Sequence, residues 1–477
     1  MNTSNNNNIN ILDLPDEILL IILNELDMVD VFYSFVNLNK RFDRLALDPF
    51  YVQHLDLRSK TLKNHNSAVD NPVFNQIYIN ILPQIHHNVN KLTVESLFMK
   101  FIFEAVDFSQ LHSLSLVNCQ SETLLQYLTS NIRFCRVLSN QITHLKVEIK
   151  GDIIVKLPDG IVSDLFSLIL FLAKHLTDLT INQSLCDRNL MNSTFNGILM
   201  NHVSLTLTKL KINVNTFDDC LYILNGYLIC LSTLIININR IGNPSLNIND
   251  IAQLSKLKCL SLISPASTCV YEKRVVPLLR QMLNLEELTL FLSVIRNNLP
   301  YIDGTHLYND FLVYMSRLNK FTFSIYSLVH DNYDKIDLPS HDDIQNSFIK
   351  IGHQHIGSYV DVKLMTTRSR CHVYSLPYHF NNFFGLSNSY QGGDKFDKVR
   401  CWQLRLVHID YVEQFLFETN TRLPQLKNLD IKYELLAIVT DNFTNNAARL
   451  NCSQLQNLII NEPFVRPENF HSYFPSL

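Results

Sequence analysis

The side chains best suited to hold a metal ion are the pair His86–His87 and the triplet His353-Gln354-His355. Histidines in an H-x-H arrangement, joined by a later His or Asp, make up the ligand set of many metal-dependent hydrolases. Neither group is followed by a carboxylate or histidine at a spacing tied to a predicted strand end, so both read as surface histidines and no metal is expected. The ten cysteines run from Cys119 to Cys452 with no CxxC pair, which suggests neither a zinc site nor a disulfide framework. Cys371, Cys401 and the others lack a nucleophile signature and read as small buried hydrophobes. There is no phosphate-cradling glycine loop and no G-x-S-x-G elbow, so the expectation is a chain without catalytic residues or cofactor.

What does recur is a structural unit of the form LxxLxL. It appears as LHSLSL from Leu111, ITHLKV from Ile142, LTDLTI from Leu176, LTKLKI from Leu207, LSTLII from Leu231, LKCLSL from Leu257, LEELTL from Leu285 and LNKFTF from Leu318. A weaker copy, VNKLTV, begins at Val89, and two more, LKNLDI and LQNLII, begin at Leu426 and Leu455. The middle apolar positions from Leu114 to Phe321 lie 24 to 34 residues apart.

Each unit ends in strand-like alternation, and apolar segments of helical length such as 163–175, 217–231 and 308–318 separate the units. Strand, turn, helix, turn is therefore the predicted repeat. One repeat cannot bury its apolar face alone, and stacking makes a continuous core. Because side chains alternate across a strand, the residues between the leucines face away from the helices. Those predicted to line this outward face, and so to be candidates for contact with a protein, are Lys91, Glu95, His144, Lys146, Glu148, Asp178, Lys209, Lys211, Glu287, Phe291 and Lys320. Their mixed signs suit a protein surface better than a polyanion.

The pattern resembles the leucine-rich repeat, whose ninth position is met by Cys119, Asn215 and Asn239 but not by Ser184, Pro265, Ser293 or Tyr326. The resemblance implies an α/β solenoid over 51–477, with parallel strands on the concave face and helices on the convex face. The period is lost over about 327–400, which reads as an insertion or as two worn repeats, the latter being preferred.

The segment 11–50 differs from the rest. In LPDEILLIILNEL the apolar residues have helical spacing, Pro15 suits a first turn, and Asp16 and Glu17 favour a helix N-terminus. A second helix is predicted over roughly 31–38, capped by Asp27 or Asp30, and KRFDRLALD supplies a third. Three short helices bury little area, so this piece needs support from the repeats or from a partner.

These residues resemble the F-box, the motif by which substrate receptors of cullin-RING ubiquitin ligases grip a Skp-type adaptor. The resemblance runs over Leu14, Pro15, Glu17, Ile18, Leu19, Ile22, Leu23, Leu26, Asp30, Val31, Lys40, Arg41, Phe42 and Leu45. Leu38-Asn39 stands where the family often has Val-Cys, and Phe42 where Trp is common. By resemblance, Leu14, Pro15, Glu17, Ile18, Ile22, Leu23, Leu26, Val31 and Phe42 would contact the adaptor. The chain would then be a non-catalytic substrate-recognition subunit, with an adaptor and cullin scaffold at one end and an unidentified protein substrate at the other. The competing readings are an interaction scaffold with a drifted box and an enzyme within 327–400.

Composition bounds the remaining possibilities. At 47% apolar and 18% charged residues the chain can bury enough surface to fold, and only 1–10 reads as a disordered Asn-rich tail. A net charge of −4 without long charge runs argues against nucleic acid as the main partner. The apolar run 165–173 is too short to span a membrane, and the N-terminus lacks the form of a signal peptide, so the expected location is cytoplasmic or nuclear.

Overall fold

The computed structural model describes residues 11–58, 72–150, 161–183, 203–243, 256–330, 338–362, 368–383, 396–404, 409–417, 419–460 and 462–477. The predicted tail at 1–10 lies outside them. The chain divides into two compact units, Met1–Asn215 with Tyr222–Leu234, and Thr216–Leu221 with Ile235–Leu477.

The first unit opens with helices α1 (Asp16–Asn24), α2 (Met28–Phe35) and α3 (Lys40–Ala46), followed by the single turn α4 (Pro49–Val52). Asn39 starts α3 by accepting from the N–H groups of Arg41 and Phe42 at 2.9 and 3.0 Å, which satisfies two donors that no helical carbonyl can reach. Helix α2 begins and ends three residues earlier than predicted. It stops because Val36 is extended and Asn37 is left-handed at φ 71°, a conformation asparagine tolerates. The Asn37 N–H then donates to Asp43 Oδ1 at 2.6 Å, tying the α2–α3 turn to α3.

Six parallel strands follow in sequence order: β1 (His54–Asp56), β2 (Lys91–Glu95), β3 (Ser113–Cys119), β4 (His144–Ile149), β5 (Asp178–Gln183) and β6 (Lys209–Thr216). Their register sets Leu55, Leu92, Leu114, Leu145, Leu179 and Leu210 side by side, every one buried. The middle leucine of each LxxLxL unit is thus one rung of a ladder. Each rung is worth roughly 1.5–3 kcal/mol of burial. Helices α5 (Ser96–Ala105), α6 (Ser121–Ser130), α7 (Ile132–Asn140) and α8 (Ile161–Leu172) occupy the connections, as the alternation of strand and helical patterns predicts. Strand β7 (Thr233–Arg240) lies where the two units divide.

In the second unit β8 (Cys259–Thr268), β9 (Glu287–Asn297) and β10 (Lys320–His330) are parallel, with Leu260, Leu288 and Phe321 in register. The segment after β10 corrects the expectation of worn repeats. Helix α9 (His341–Lys350) leads into β11 (Ile356–Val362) and β12 (Arg368–Ser375), and β12 pairs antiparallel with both β10 and β11. The reversed strand takes the edge of β10 that another parallel repeat would need.

The repeat pattern resumes in a separate parallel sheet of β13 (Asn382–Phe383), β14 (Cys401–Gln403), β15 (Asn428–Asp430) and β16 (Asn457–Ile459). Its core gathers on Trp402, which stacks on Phe383 at 5.5 Å and meets Phe396 edge-on at 5.1 Å. The observed class is therefore mixed α/β with a largely parallel sheet. Among the described residues no helix is long and apolar enough to cross a membrane.

Candidate functional site

The N-terminal helices sort their apolar residues into two sets. Leu19 and Leu23 of α1, Val29, Val31 and Phe32 of α2, and Phe42, Leu45 and Ala46 of α3 are buried. Phe42 meets Phe35 edge-on at 5.0 Å, a favoured aromatic geometry. Leu23, Val31 and Phe42, expected as adaptor contacts, are at most 2% exposed. Their side chains hold the three helices together and cannot touch a partner as well.

The second set faces water. Pro15, Glu17, Ile18 and Leu26 are exposed as expected, and Leu14 and Ile22 are half-buried. Ile21, at 59% exposure, joins them. The sequence stripe passed over it, although its spacing of three from Ile18 puts the two on one helix face. Ile11, Leu12, Tyr33 and Leu38 are exposed apolar residues of the same segment.

A basic pair fastens the start of α1. Arg41 donates to Asp16 Oδ1 at 2.7 Å and to the carbonyls of Leu12 and Leu14, both at 2.5 Å, while Arg44 reaches Asp16 Oδ2. The hydrogen bond from Arg41 holds the Asp16 carboxyl below its ordinary range. One guanidinium thus fixes the entry to α1 and the orientation of Ile18 and Ile21.

On the strand face Lys91, His144, Lys209, Glu287 and Lys320 are exposed, and Lys146, Glu148, Asp178 and Lys211 are half-buried. The structure pairs several of these charges. Lys209 meets Asp178, its neighbour across β5 and β6, at 2.8 Å, and Lys146 meets Glu148 at 2.6 Å. Lys320 meets its cross-strand neighbour Glu287 at 3.2 Å. Exposed pairs of this kind are worth about 0–1 kcal/mol each, so they add little stability and mainly cancel the field of the face.

Two residues predicted for that face are not on it. Glu95 is 5% exposed, at the end of β2 where the chain turns into α5. Phe291 is 3% exposed and packs on Phe380 at 5.2 Å, because chain from the 376–383 region covers this part of β9 with aromatic rings.

The sequence reading also missed a hydroxyl ladder. The second residue of successive units, Thr143, Thr177, Thr208 and Ser232, donates from Oγ to the carbonyl of its counterpart one repeat earlier, at 3.0–3.2 Å. The T or S after the first apolar residue was the available signal.

The histidines do not converge. His86 bonds the Asp107 carbonyl, and His353 packs against Phe321 at 5.6 Å, where burial lowers its pKa. No group of three metal-ligating side chains occurs among the described residues. Burial pushes the Cys119 thiol up to about 12 and Cys371 higher still, which disfavours the nucleophilic thiolate.

No family model matches the chain, and no curated protein matches it.

Proposed function

We propose that the chain is a substrate-recognition subunit of a cullin-RING ubiquitin ligase, its N-terminal helices docking a Skp-type adaptor and its repeats capturing a protein substrate. The observation carrying this reading is the division of apolar residues in 11–50. A three-helix segment that already buries Leu23, Val31 and Phe42 still leaves Ile18, Ile21 and Leu26 between 42% and 59% exposed. Exposed apolar side chains on one short segment, Ile18 and Ile21 sharing a helix face behind a proline-led start, suit a protein partner. The fixed entry to α1, set by Arg41, supplies the rigidity that docking needs.

In this reading the repeats form a solenoid whose strand face takes the substrate. The chain contributes proximity: it holds a substrate lysine near a ubiquitin thioester, which raises effective concentration with no acid or base of its own. Its location is cytoplasmic or nuclear. The runner-up is a scaffold that binds a protein partner without adaptor or ubiquitination, supported by the departures at Leu38-Asn39 and Phe42.

Co-purification of the tagged full chain with a Skp-type adaptor tests the proposal. Recovery of adaptor by the wild type and its loss in Ile18→Asp with Ile21→Asp supports the ligase reading. Absence of adaptor from a folded wild-type protein overturns it in favour of the scaffold.

A further inference from the structure

The two units treat their strand faces differently. In the second unit the chain closes its own face: Phe380 packs on Phe291 at 5.2 Å, and the Tyr378 hydroxyl lies 3.3 Å from Ser324 Oγ. Phe291 and Ser324 are the fifth residues of β9 and β10, side by side in the register, and both are buried. The fifth residues of β4, β5 and β6 in the first unit are Glu148, Asn182 and Asn213, all polar and half-buried. Aromatic side chains suit the second face, whereas polar groups on the first need a partner that returns their hydrogen bonds.

The first face also has a sign. Strands β1 to β6 carry three carboxylates that are not buried, and each is already met by a cation: Asp56 by Arg58 at 2.6 Å, Glu148 by Lys146 at 2.6 Å and Asp178 by Lys209 at 2.8 Å. Lys91, exposed, and Lys211, half-buried, have no carboxylate partner among the described residues. His54 and His144 stand in the same row of strand starts as Lys91, in the register His54, Lys91, Ser113, His144. What the pairing leaves over is therefore cationic. Between Lys91 and Lys211 the face presents the hydroxyls of Ser113 and Ser115 on β3 and of Thr180 on β5, half-buried, each able to donate to or accept from a peptide group.

We propose that this face binds an extended acidic protein segment, with two Asp or Glu side chains six residues apart seated on Lys91 and Lys211. The assignment rests on the reading that the repeats capture a protein, and it names the class of segment captured. Lys91 opens β2 and Lys211 is the third residue of β6, four strands away. Their backbones are separated by about 19 Å across the sheet and about 7 Å along it, about 20 Å in all. Six extended residues cover about 20 Å. Because side chains alternate along an extended chain, an even separation turns both acids to one side of the segment, and an odd one does not. The contacts lie at the surface, so added salt weakens them.

Fluorescence anisotropy of the full chain with labelled, end-blocked nonapeptides of Ser and Thr tests the proposal. The peptide with Glu at its second and eighth positions binds, and Gln at both weakens it about tenfold, the loss of two exposed charge contacts. Moving the second Glu one position inward weakens binding several-fold. Lys91→Ala combined with Lys211→Ala, both away from the core, lowers the affinity for the diglutamate peptide to that for the diglutamine peptide, and Lys320→Ala in the second unit leaves it unchanged. Equal binding of the two peptides, no binding at millimolar peptide, insensitivity to the lysine pair, or tighter binding of an oligothymidylate of the same length overturns the assignment. The assay contains no adaptor, so its failure leaves the adaptor co-purification untouched, and absence of adaptor there leaves the peptide result standing.

Discussion

The Arg41 guanidinium lies 2.7 Å from the Asp16 carboxylate, bridging 25 residues of sequence from α3 back to the first turn of α1. The same side chain closes on the carbonyls of Leu12 and Leu14, so it anchors a segment that has few buried residues of its own.

Arg41→Ala should loosen the start of α1 while leaving α2 and α3 in place. Hydrogen exchange should quicken at the α1 amides and, on the proposed docking reading, recovery of a Skp-type adaptor should fall. Unchanged protection there would separate the bridge from the docking surface. Because the Asp16 pKa is held low when folded, the contribution of this bridge is present above the ordinary carboxylate range and is lost as pH falls through the lowered value.

Stability and docking should part company within α1. Leu23→Ala removes a buried side chain and should cost about 2–5 kcal/mol in urea unfolding. Ile18→Ala and Ile21→Ala, on the exposed face, should stay within about 0.5 kcal/mol of the wild type. A large loss from the exposed pair would show that their face is covered within the chain.

Thr177→Val keeps the shape of the side chain but removes its donation to the Thr143 carbonyl. One hydrogen bond of this kind contributes about 1 kcal/mol net. Thermal unfolding should report a loss of that size, repeated by Thr208→Val.

In the second unit Arg274, 1% exposed, pairs with Asp218 and lies over the Phe217 ring at 5.0 Å. Asp218→Ala removes the carboxylate paired with a buried guanidinium and should cost about 3–5 kcal/mol by denaturant unfolding. Pairing it with Arg274→Met should restore much of that, since a buried ion pair replaced by well-packed apolar groups is often neutral.

His372, on β12, is buried against Tyr359, Tyr374 and Phe383, and its Nε2 meets Ser324 Oγ at 2.8 Å. Burial lowers its pKa to about 3 from an ordinary value near 6.5. The unfolded chain then binds a proton that the folded one refuses, so stability should fall as pH drops from about 6.5 toward 3, by roughly 4 kcal/mol at the bottom of that window. Unfolding midpoints measured at pH 7, 5 and 4 should show a shallower slope for His372→Gln than for the wild type.

The periodic apolar positions were enough to locate the repeats. Every strand from β2 to β10, and again β15 and β16, begins two residues after the first apolar residue of its unit, because burial is set by a local alternation that the sequence spells out. The α1 and α3 segments were legible for the same reason, helped by Pro15 and by the cap at Asn39. Local pattern could not say which apolar residue faces a neighbour and which faces water. Leu23 and Ile21 are equally greasy, and only the packing of α2 and α3 buries the first and leaves the second exposed. Nor could it reveal the reversal at β12 or the ring of Phe380 over Phe291. Each of these depends on pairing between residues far apart in sequence, where no short-range periodicity carries the information and the tertiary fold alone decides.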